Sequence, residues 1–314
     1  MNKVISIGNQ GFDKIRENDY FYVDKTGFIK EWWESGDDVT LITRPRRFGK
    51  TLNMDMLKCF FSNQYTGRAD LFEGLSIWKE EKYRELQGQY PVIFVSFADV
   101  KERDYESAVR KIKHILVDLY LQYEFLKKNF SESEQMRYRQ ISYNMDNVAA
   151  QDALKSLAAL LSSYYGKKAI ILLDEYDTPM QEAYIHGYWE EFTGFMRSLF
   201  NATFKTNPYL ERAVMTGITR VSKESLFSDL NNLRVVTTTS DAYRTCFGFT
   251  EKEVFTALDS YGKSGEKENV KKWYDGFVFG SEKDIYNPWL ITEFLKEGRY
   301  QTYWVATSSN GMVS

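Results

Sequence analysis

Gly49, Lys50 and Thr51 are the residues whose types and order most directly suggest chemistry. Where such a triplet opens a helix, the backbone N–H groups at the helix N-terminus can hold phosphate. The lysine can reach the β- and γ-phosphate oxygens, and the threonine hydroxyl can hold Mg²⁺. The triplet therefore predicts a nucleotide phosphate site, provided that its surroundings fold into a strand, a turn and a helix.

The residues around the triplet fit that context. Residues 39–43 form a short β-branched, apolar run that predicts a buried strand, and Pro45 and Gly49 favour a turn after it. Apolar residues then follow at helical spacing on one face: Leu52, Met56, Leu57 and Phe60. Strand, turn and helix in this order are what a phosphate-binding loop requires.

The loop departs from the general pattern at one position, because Arg44 stands where the first glycine is expected. An ordinary helix start with a solvated Lys50 is therefore the alternative interpretation. The strand before the loop favours phosphate binding over that alternative. We accordingly expect nucleotide to contact the second half of the loop and the first helical residues: Arg46, Arg47, Phe48, Gly49, Lys50 and Thr51.

A second stretch strengthens the prediction. Residues 169–173 are apolar and predict a strand buried on both faces, and Asp174 and Glu175 follow at its carboxyl end. Ligands of open α/β sheets bind at that edge. There Asp174 can hold Mg²⁺ through water, with Thr51, and Glu175 can polarise the attacking water. An acidic turn after a core strand is the alternative, but the loop and the acidic pair together favour nucleotide binding.

Composition excludes several other classes of protein. The chain has 314 residues and a formal charge of −3, which excludes a generally basic nucleic-acid binder but not a local basic patch. Its two cysteines match no metal spacing, and its two histidines argue against a His-rich metal site or a histidine-dependent triad. Neither an apolar signal region nor a membrane-spanning segment is visible. We therefore expect a soluble protein of a reducing compartment, the cytoplasm, without a membrane partner.

Five predicted strands alternate with helical patterns along the chain, at residues 39–43, 91–97, 169–173, 211–216 and 233–239. This alternation predicts an α/β fold with a five-stranded, mostly parallel sheet and helices on both faces. We divide the chain into an N-terminal arm (1–38), a core (39–248) and a small C-terminal helical subdomain (249–314).

The arm leaves two interpretations open. It carries an amphipathic helical pattern with four large apolar side chains: Phe28, Ile29, Trp32 and Trp33. These side chains could brace the core, or they could cover the adenine base, which needs apolar and aromatic surface.

Six segments in this order resemble the bacterial AAA-ATPase-like family, a group of P-loop ATPases of the signal-transduction type. They are Tyr-Val-Asp-Lys-Thr at 22–26, Arg-Pro-Arg-Arg-Phe-Gly-Lys-Thr at 44–51, Leu-Asp-Glu-Tyr-Asp-Thr-Pro at 173–179, Ser-Leu-Phe-Ser-Asp-Leu-Asn-Asn at 225–232, Trp-Tyr-Asp-Gly at 273–276 and Tyr-Asn-Pro-Trp at 286–289. The likeness covers nearly the whole chain.

The resemblance implies a P-loop NTPase core with ATP and Mg²⁺ as cofactors. In its sheet the fourth strand would lie between the phosphate-loop strand and the Asp-Glu strand. Thr216, Thr219 and Arg220 would then border the γ-phosphate, with Arg220 as a catalytic sensor. An arginine at position 44 is usual in this family. Members usually continue into a restriction-endonuclease-like nuclease domain, which we expect downstream of this chain. That domain and nucleic acid are candidate partners, and an oligomer is left open.

Three functions stay open at this point. The first is an Mg²⁺-dependent, slowly hydrolysing ATPase whose nucleotide state controls a partner or an attached nuclease. The second is a nucleic-acid-binding module in which Arg44, Arg46 and Arg47 contact the phosphate backbone. The third is a pseudo-ATPase that binds nucleotide without hydrolysing it. Glu175 favours the first over the third, because binding alone does not require a water-polarising carboxylate.

Overall fold

The protein is represented by a computed structural model that describes residues 2–219 and 226–301. Its strands are β1 (Val39–Thr43), β2 (Val92–Ser96), β3 (Ala169–Asp174), β4 (Leu210–Gly217), β5 (Leu233–Val236), β6 (Phe249–Thr250), β7 (Phe277–Phe279) and β8 (Glu282–Tyr286). Its α-helices are α1 (Phe12–Glu17), α2 (Gly27–Ser35), α3 (Lys50–Phe61), α4 (Glu81–Leu86), α5 (Tyr105–Leu121), α6 (Glu132–Arg139), α7 (Asn147–Tyr165), α8 (Thr178–His186), α9 (Trp189–Phe200), α10 (Glu251–Ser260), α11 (Lys267–Tyr274) and α12 (Pro288–Glu297).

The first five strands form one parallel sheet in the order β2-β3-β4-β1-β5. The predicted α/β fold is confirmed, and so is the implied place of the fourth strand between the phosphate-loop strand and the Asp-Glu strand. Parallel strands all end at the same edge of a sheet. Thr43 is level with Gly217, and Asp174 is level with Ser96, so the predicted site residues converge at that edge.

Strict alternation along the strands gives the sheet two apolar faces. In β3, for example, Ile171 and Leu173 face the core that α5, α7, α8 and α9 cover, whereas Ile170 and Leu172 face the core that α1, α2 and α3 cover. The strands are therefore buried on both sides, as the parallel arrangement requires.

The N-terminal arm is part of the second of these cores. Phe28, Ile29 and Trp32 are fully buried in it, and the half-buried Trp33 packs against Phe61 of α3. These side chains brace the sheet and leave no exposed surface for a base at the three buried positions, so the brace interpretation is the one that the packing supports.

The C-terminal region holds the predicted helices and an additional small sheet. Thr250 and Glu253 form a capping box at the start of α10, and Asn287 caps α12 with Pro288 in its first turn. The antiparallel sheet β6-β8-β7 was missed by the sequence analysis. Its strands are only two to five residues long, and β8 opens on Glu-Lys-Asp, so no window shows a readable alternation.

Two further features complete the described part of the fold. The mostly polar segment at 131–147 contains α6. This helix has its own capping box at Ser131 and Glu134 and is anchored by the buried ring of Tyr138. None of the helices in residues 2–219 and 226–301 is long and apolar enough to cross a bilayer.

Candidate nucleotide site

The loop between β1 and α3 has the shape that its glycine predicts. Gly49 precedes the first helical residue with φ 82°, in the left-handed region that glycine adopts without strain. Arg47, two residues earlier, also has a positive φ of 69°. The loop thus turns sharply twice before the helix begins, which aims the first N–H groups of α3 at the sheet edge.

Lys50 is folded over this loop rather than solvated. Its side chain is only 4% exposed, and its Nζ donates hydrogen bonds to the carbonyl oxygens of Arg44 at 3.1 Å and Pro45 at 3.2 Å. The same Nζ lies 3.7 Å from Oε1 of Glu175. The interpretation of Lys50 as a solvated residue of an ordinary helix start is therefore wrong.

Asp174 joins three elements at the end of β3. Its carboxylate is 1% exposed, and its Oδ2 accepts a 2.7 Å hydrogen bond from Oγ1 of Thr51 on α3. Its Oδ1 accepts a hydrogen bond from the hydroxyl of Thr216 on β4. The structure thus brings together three of the predicted site residues as a cluster of hard oxygen atoms, the ligand type that Mg²⁺ prefers.

Glu175 follows Asp174 in a strained backbone conformation, with φ 52°. Burial raises the pKa of its carboxyl from the usual 4.5; Lys50 and Arg46 lower that pKa again, and the carboxylates of Asp174 and Asp177 raise it. The side chain is still 20% exposed, so solvent reaches it. A carboxylate with a raised pKa at a partly open edge has the properties of a general base.

Asp177 anchors the chain after β4. Its Oδ2 accepts hydrogen bonds from the backbone N–H groups of Ile218 at 2.9 Å and Thr219 at 2.7 Å, from the Thr219 hydroxyl at 2.8 Å and from Gln181 at 2.9 Å. Thr219 is therefore bound to Asp177. Arg220, the predicted catalytic sensor, lies outside the described residues, and its role stays a prediction.

The position of Gly217 has no room for a side chain, because neighbouring residues fill the space that a Cβ would occupy. A Cβ at this position would lie 2.5 Å from Oδ1 of Asp177 and 2.6 Å from the ring of Tyr176. Tyr176 in turn donates its backbone N–H to the carbonyl of Thr216 at 3.0 Å. The Asp-Glu segment and the end of β4 are thus in direct contact.

Arg44 is not a surface residue. It is fully buried, and its guanidinium donates to the carbonyl oxygens of Thr43 at 3.0 Å and Ala242 at 3.4 Å while lying 4.7 Å from the ring centroid of Phe279. Burial lowers the pKa of this guanidinium to about 10. A nucleic-acid surface that includes Arg44 is therefore contradicted, because this side chain cannot reach a phosphate backbone.

Phe48 also has a structural role that the sequence did not indicate. Its ring is fully buried, with centroid distances of 4.7 Å to Phe277 and 5.4 Å to Phe279. Its carbonyl accepts the N–H of Gly248 at 3.2 Å. We predicted nucleotide contact for Phe48, but its side chain instead fixes the loop to the small C-terminal sheet.

Two loop contacts were missed by the sequence analysis. The guanidinium carbon of Arg47 lies 3.8 Å from the ring centroid of Trp289, and Nδ2 of Asn287 donates to the carbonyl of Arg46 at 3.4 Å. Both partners belong to the Tyr-Asn-Pro-Trp segment. That segment was visible as a motif, but its position on the loop is set by the tertiary fold.

Comparison with known proteins assigns the chain to a family. Residues 6–227 match the family model described as Predicted AAA-ATPase. The chain is also 28% identical over 309 residues to a curated protein of Azotobacter chroococcum mcd 1, named "Uncharacterized protein in vnfD 5'region". The match covers 98% of this chain but 54% of that protein, so the chain spans about half the length of this relative.

Proposed function

The chain belongs to the predicted AAA-ATPase family, and from this premise we propose that it binds ATP with Mg²⁺ and hydrolyses it slowly as a nucleotide switch. The observation that carries the proposal is the convergence of five side chains at the carboxyl edge of one parallel sheet: Lys50, Thr51, Asp174, Glu175 and Thr216. They come from α3, from β3 and the residue after it, and from β4, and the strand order puts them side by side.

The residues present fit both cofactors. The Thr51 hydroxyl and the Asp174 carboxylate already lie within hydrogen-bonding distance of each other, and they would hold Mg²⁺ directly or through water. The N–H groups at the start of α3 and the ammonium of Lys50 would hold the phosphates. Mg²⁺, when bound, neutralises charge on the phosphate oxygens.

The carboxylate of Glu175 would accept the proton of the attacking water. Lys50 lies beside this carboxylate and lowers its pKa. When phosphate draws Lys50 away, Glu175 loses a positive neighbour and becomes a stronger base. Substrate binding would thereby prepare the base for the chemical step.

The partner that the switch controls is also part of the proposal. The Azotobacter relative is longer than this chain, and the match covers 54% of it. The resemblance described above suggests a restriction-endonuclease-like nuclease as the attached domain. Nucleotide-dependent contacts between the core and that domain would then be the output of the switch.

The test measures the melting temperature of the protein and its release of phosphate in the presence of a panel of nucleotides, with and without Mg²⁺. ATP at about a hundred times its Kd should stabilise the wild type by about 2.7 kcal/mol. Lys50→Ala should lose that increment, whereas Lys272→Ala, an exposed lysine on α11, should keep it. Glu175→Gln should bind ATP without releasing phosphate.

Each outcome decides between the functions. A wild type whose melting temperature responds to no nucleotide would overturn the proposal. Binding without phosphate release in the wild type would instead establish the pseudo-ATPase, and an unchanged ATP response in Lys50→Ala would reject the phosphate-loop assignment.

A further inference from the structure

Arg47 is held by the C-terminal region rather than by its own loop. Its guanidinium carbon lies 3.8 Å from the ring centroid of Trp289, in the first turn of α12. Asn287 contacts both segments: its Oδ1 accepts the backbone N–H of Trp289 at 3.0 Å, and its Nδ2 donates to the carbonyl of Arg46, the residue before Arg47, at 3.4 Å. The start of α12 and the loop are thus connected twice.

The hydrogen-bond donors of Arg47 are not used within the described structure. A guanidinium that stacks on a ring uses its face, and its five N–H donors remain in its plane. No acceptor in residues 2–219 or 226–301 takes a hydrogen bond from the Arg47 side chain, and no carboxylate there pairs with it. Arg212 provides the contrast, because it lies 4.5 Å from the Trp33 ring centroid and also donates to the Trp32 and Trp33 carbonyls.

Backbone strain supports a specific role for this arrangement. Arg47 has a φ of 69°, a conformation that a non-glycine residue keeps only where its surroundings hold it. The residue lies two positions before Gly49, where the helix N-terminus begins. The Arg47 guanidinium lies over a ring, and its in-plane N–H donors have no partner among the described residues. Such a planar cation is suited to bind an anion with two parallel hydrogen bonds.

We propose that Trp289 is a positioning residue that holds Arg47 towards the phosphate oxygens of a nucleoside triphosphate, so that α12 completes the nucleotide site. This inference rests on the proposed function. It goes beyond the family match, which ends at residue 227, because Trp289 lies 62 residues further along the chain. The ring supplies orientation, and the guanidinium supplies the contact.

The test measures the affinity for Mg²⁺-ATP by calorimetry in four variants. Trp289→Leu and Arg47→Ala should each weaken binding about 3- to 30-fold, the range expected for loss of a cation–π contact and the hydrogen bonds it orients. Trp289→Phe should recover most of the affinity, since a ring face remains. The double variant Arg47→Ala/Trp289→Leu should bind no more weakly than Arg47→Ala, since both changes remove one interaction.

Two matched controls separate positioning from general stability. Trp273→Leu removes a 51% exposed tryptophan of α11, and Arg212→Lys changes another arginine that lies over a tryptophan ring. Both should leave the affinity for ATP unchanged.

Several outcomes would overturn the inference. Trp289→Leu or, if it does not fold, Arg47→Ala could lower the melting temperature without changing the affinity, or the two single changes could add fully in the double variant. Either result would make the contact structural only. A wild type that binds no nucleotide would overturn this inference together with the proposed function. If the wild type binds ATP and the Trp289 changes leave its affinity for ATP unaltered, only the inference is rejected.

Discussion

The hydroxyl of Thr51 donates a 2.7 Å hydrogen bond to Oδ2 of Asp174, and so links the first turn of α3 to the end of β3. The strand that leads into α3, β1, is not adjacent to β3 in the sheet, because β4 lies between them. Thr216 of β4 occupies that middle position and donates to the other oxygen of the same carboxylate. Asp174 is therefore oriented from both sides before any ligand arrives, which reduces the cost of ordering it on binding.

Thr216→Val should destabilise the protein by about 1–3 kcal/mol, because it leaves an oxygen of the buried Asp174 without its donor. Thr216→Ser keeps the hydroxyl and should lose much less. The measurement is urea unfolding. Thr40→Val is the matched control, since Thr40 is buried in β1 and its Oγ1 has no hydrogen-bond partner in the described structure. Equal losses at positions 216 and 40 would show that the bond to Asp174 contributes nothing.

Glu175→Gln should remove a pH-dependent cost to stability. Burial raises the folded-state pKa of Glu175 above its usual 4.5, so the folded protein binds this proton more tightly than the unfolded chain does. The stability contributed by the protonated carboxyl is present below pH 4.5 and is lost as the pH rises through the raised pKa. The advantage of the glutamine variant over the wild type should therefore grow across this window and then stay constant.

Urea unfolding of the wild type and of Glu175→Gln, from pH 4.5 upwards through the raised pKa, measures the difference in their free energies of unfolding. Glu297→Gln, at an exposed glutamate of α12, is the control. Phosphate release by the wild type should rise over the same window, because the base must be deprotonated. A stability difference that does not change with pH would contradict the raised pKa.

The local sequence pattern was sufficient to predict the strands and the helix that carry the site residues. Residues 39–43 are a β-branched, apolar run, and apolar residues follow Lys50 at helical spacing. The observed β1 has the predicted bounds, and α3 begins at Lys50 as predicted. Asp174 and Glu175 could be placed at the sheet edge because a buried strand ends there and parallel strands share that edge.

The contacts that depend on tertiary packing could not be predicted in this way. Phe48 reads as a loop residue, yet its ring enters the core beside Phe277 and Phe279, more than 200 positions away. The sequence suggests that Arg44 is a free cation, yet it is buried against the carbonyl of Ala242 and the ring of Phe279. Spacing in sequence carries no information about which loop side chain turns inward, because that depends on segments that meet only in the folded protein.

Gly217→Ala should destabilise the protein by about 1–3 kcal/mol, as small-to-large changes in a packed site do. The new methyl group would overlap Oδ1 of Asp177 and the ring of Tyr176, at 2.5 and 2.6 Å. Gly194→Ala is the matched control, because Gly194 lies within α9 and a Cβ there meets nothing within 4 Å. That change should stabilise the protein by about 0.5–1 kcal/mol. Thermal unfolding of the two variants should give opposite signs, and a neutral Gly217→Ala would mean that the carboxylate and the ring move aside at no cost.

Asp177 is a candidate base by residue type, but its contacts assign it to anchoring. Its Oδ2 already accepts hydrogen bonds from Ile218, Thr219 and Gln181, and the residue is fully buried. These hydrogen bonds hold the carboxylate on the backbone after β4, so its role is structural.

Asp177→Ala should therefore cost about 1–3 kcal/mol of stability, because the half-buried N–H of Ile218 loses its acceptor, whereas solvent can reach the exposed Thr219. Gln181→Ala removes one donor of the same cluster and should cost about 1 kcal/mol or less. Urea unfolding measures both losses. The decisive observation is the pH profile of phosphate release in Asp177→Asn, which keeps an acceptor oxygen for the same donors. The acidic limb of that profile should coincide with that of the wild type, because the titrating base is Glu175. A limb that disappears in Asp177→Asn and survives in Glu175→Gln would exchange the roles of the two carboxylates.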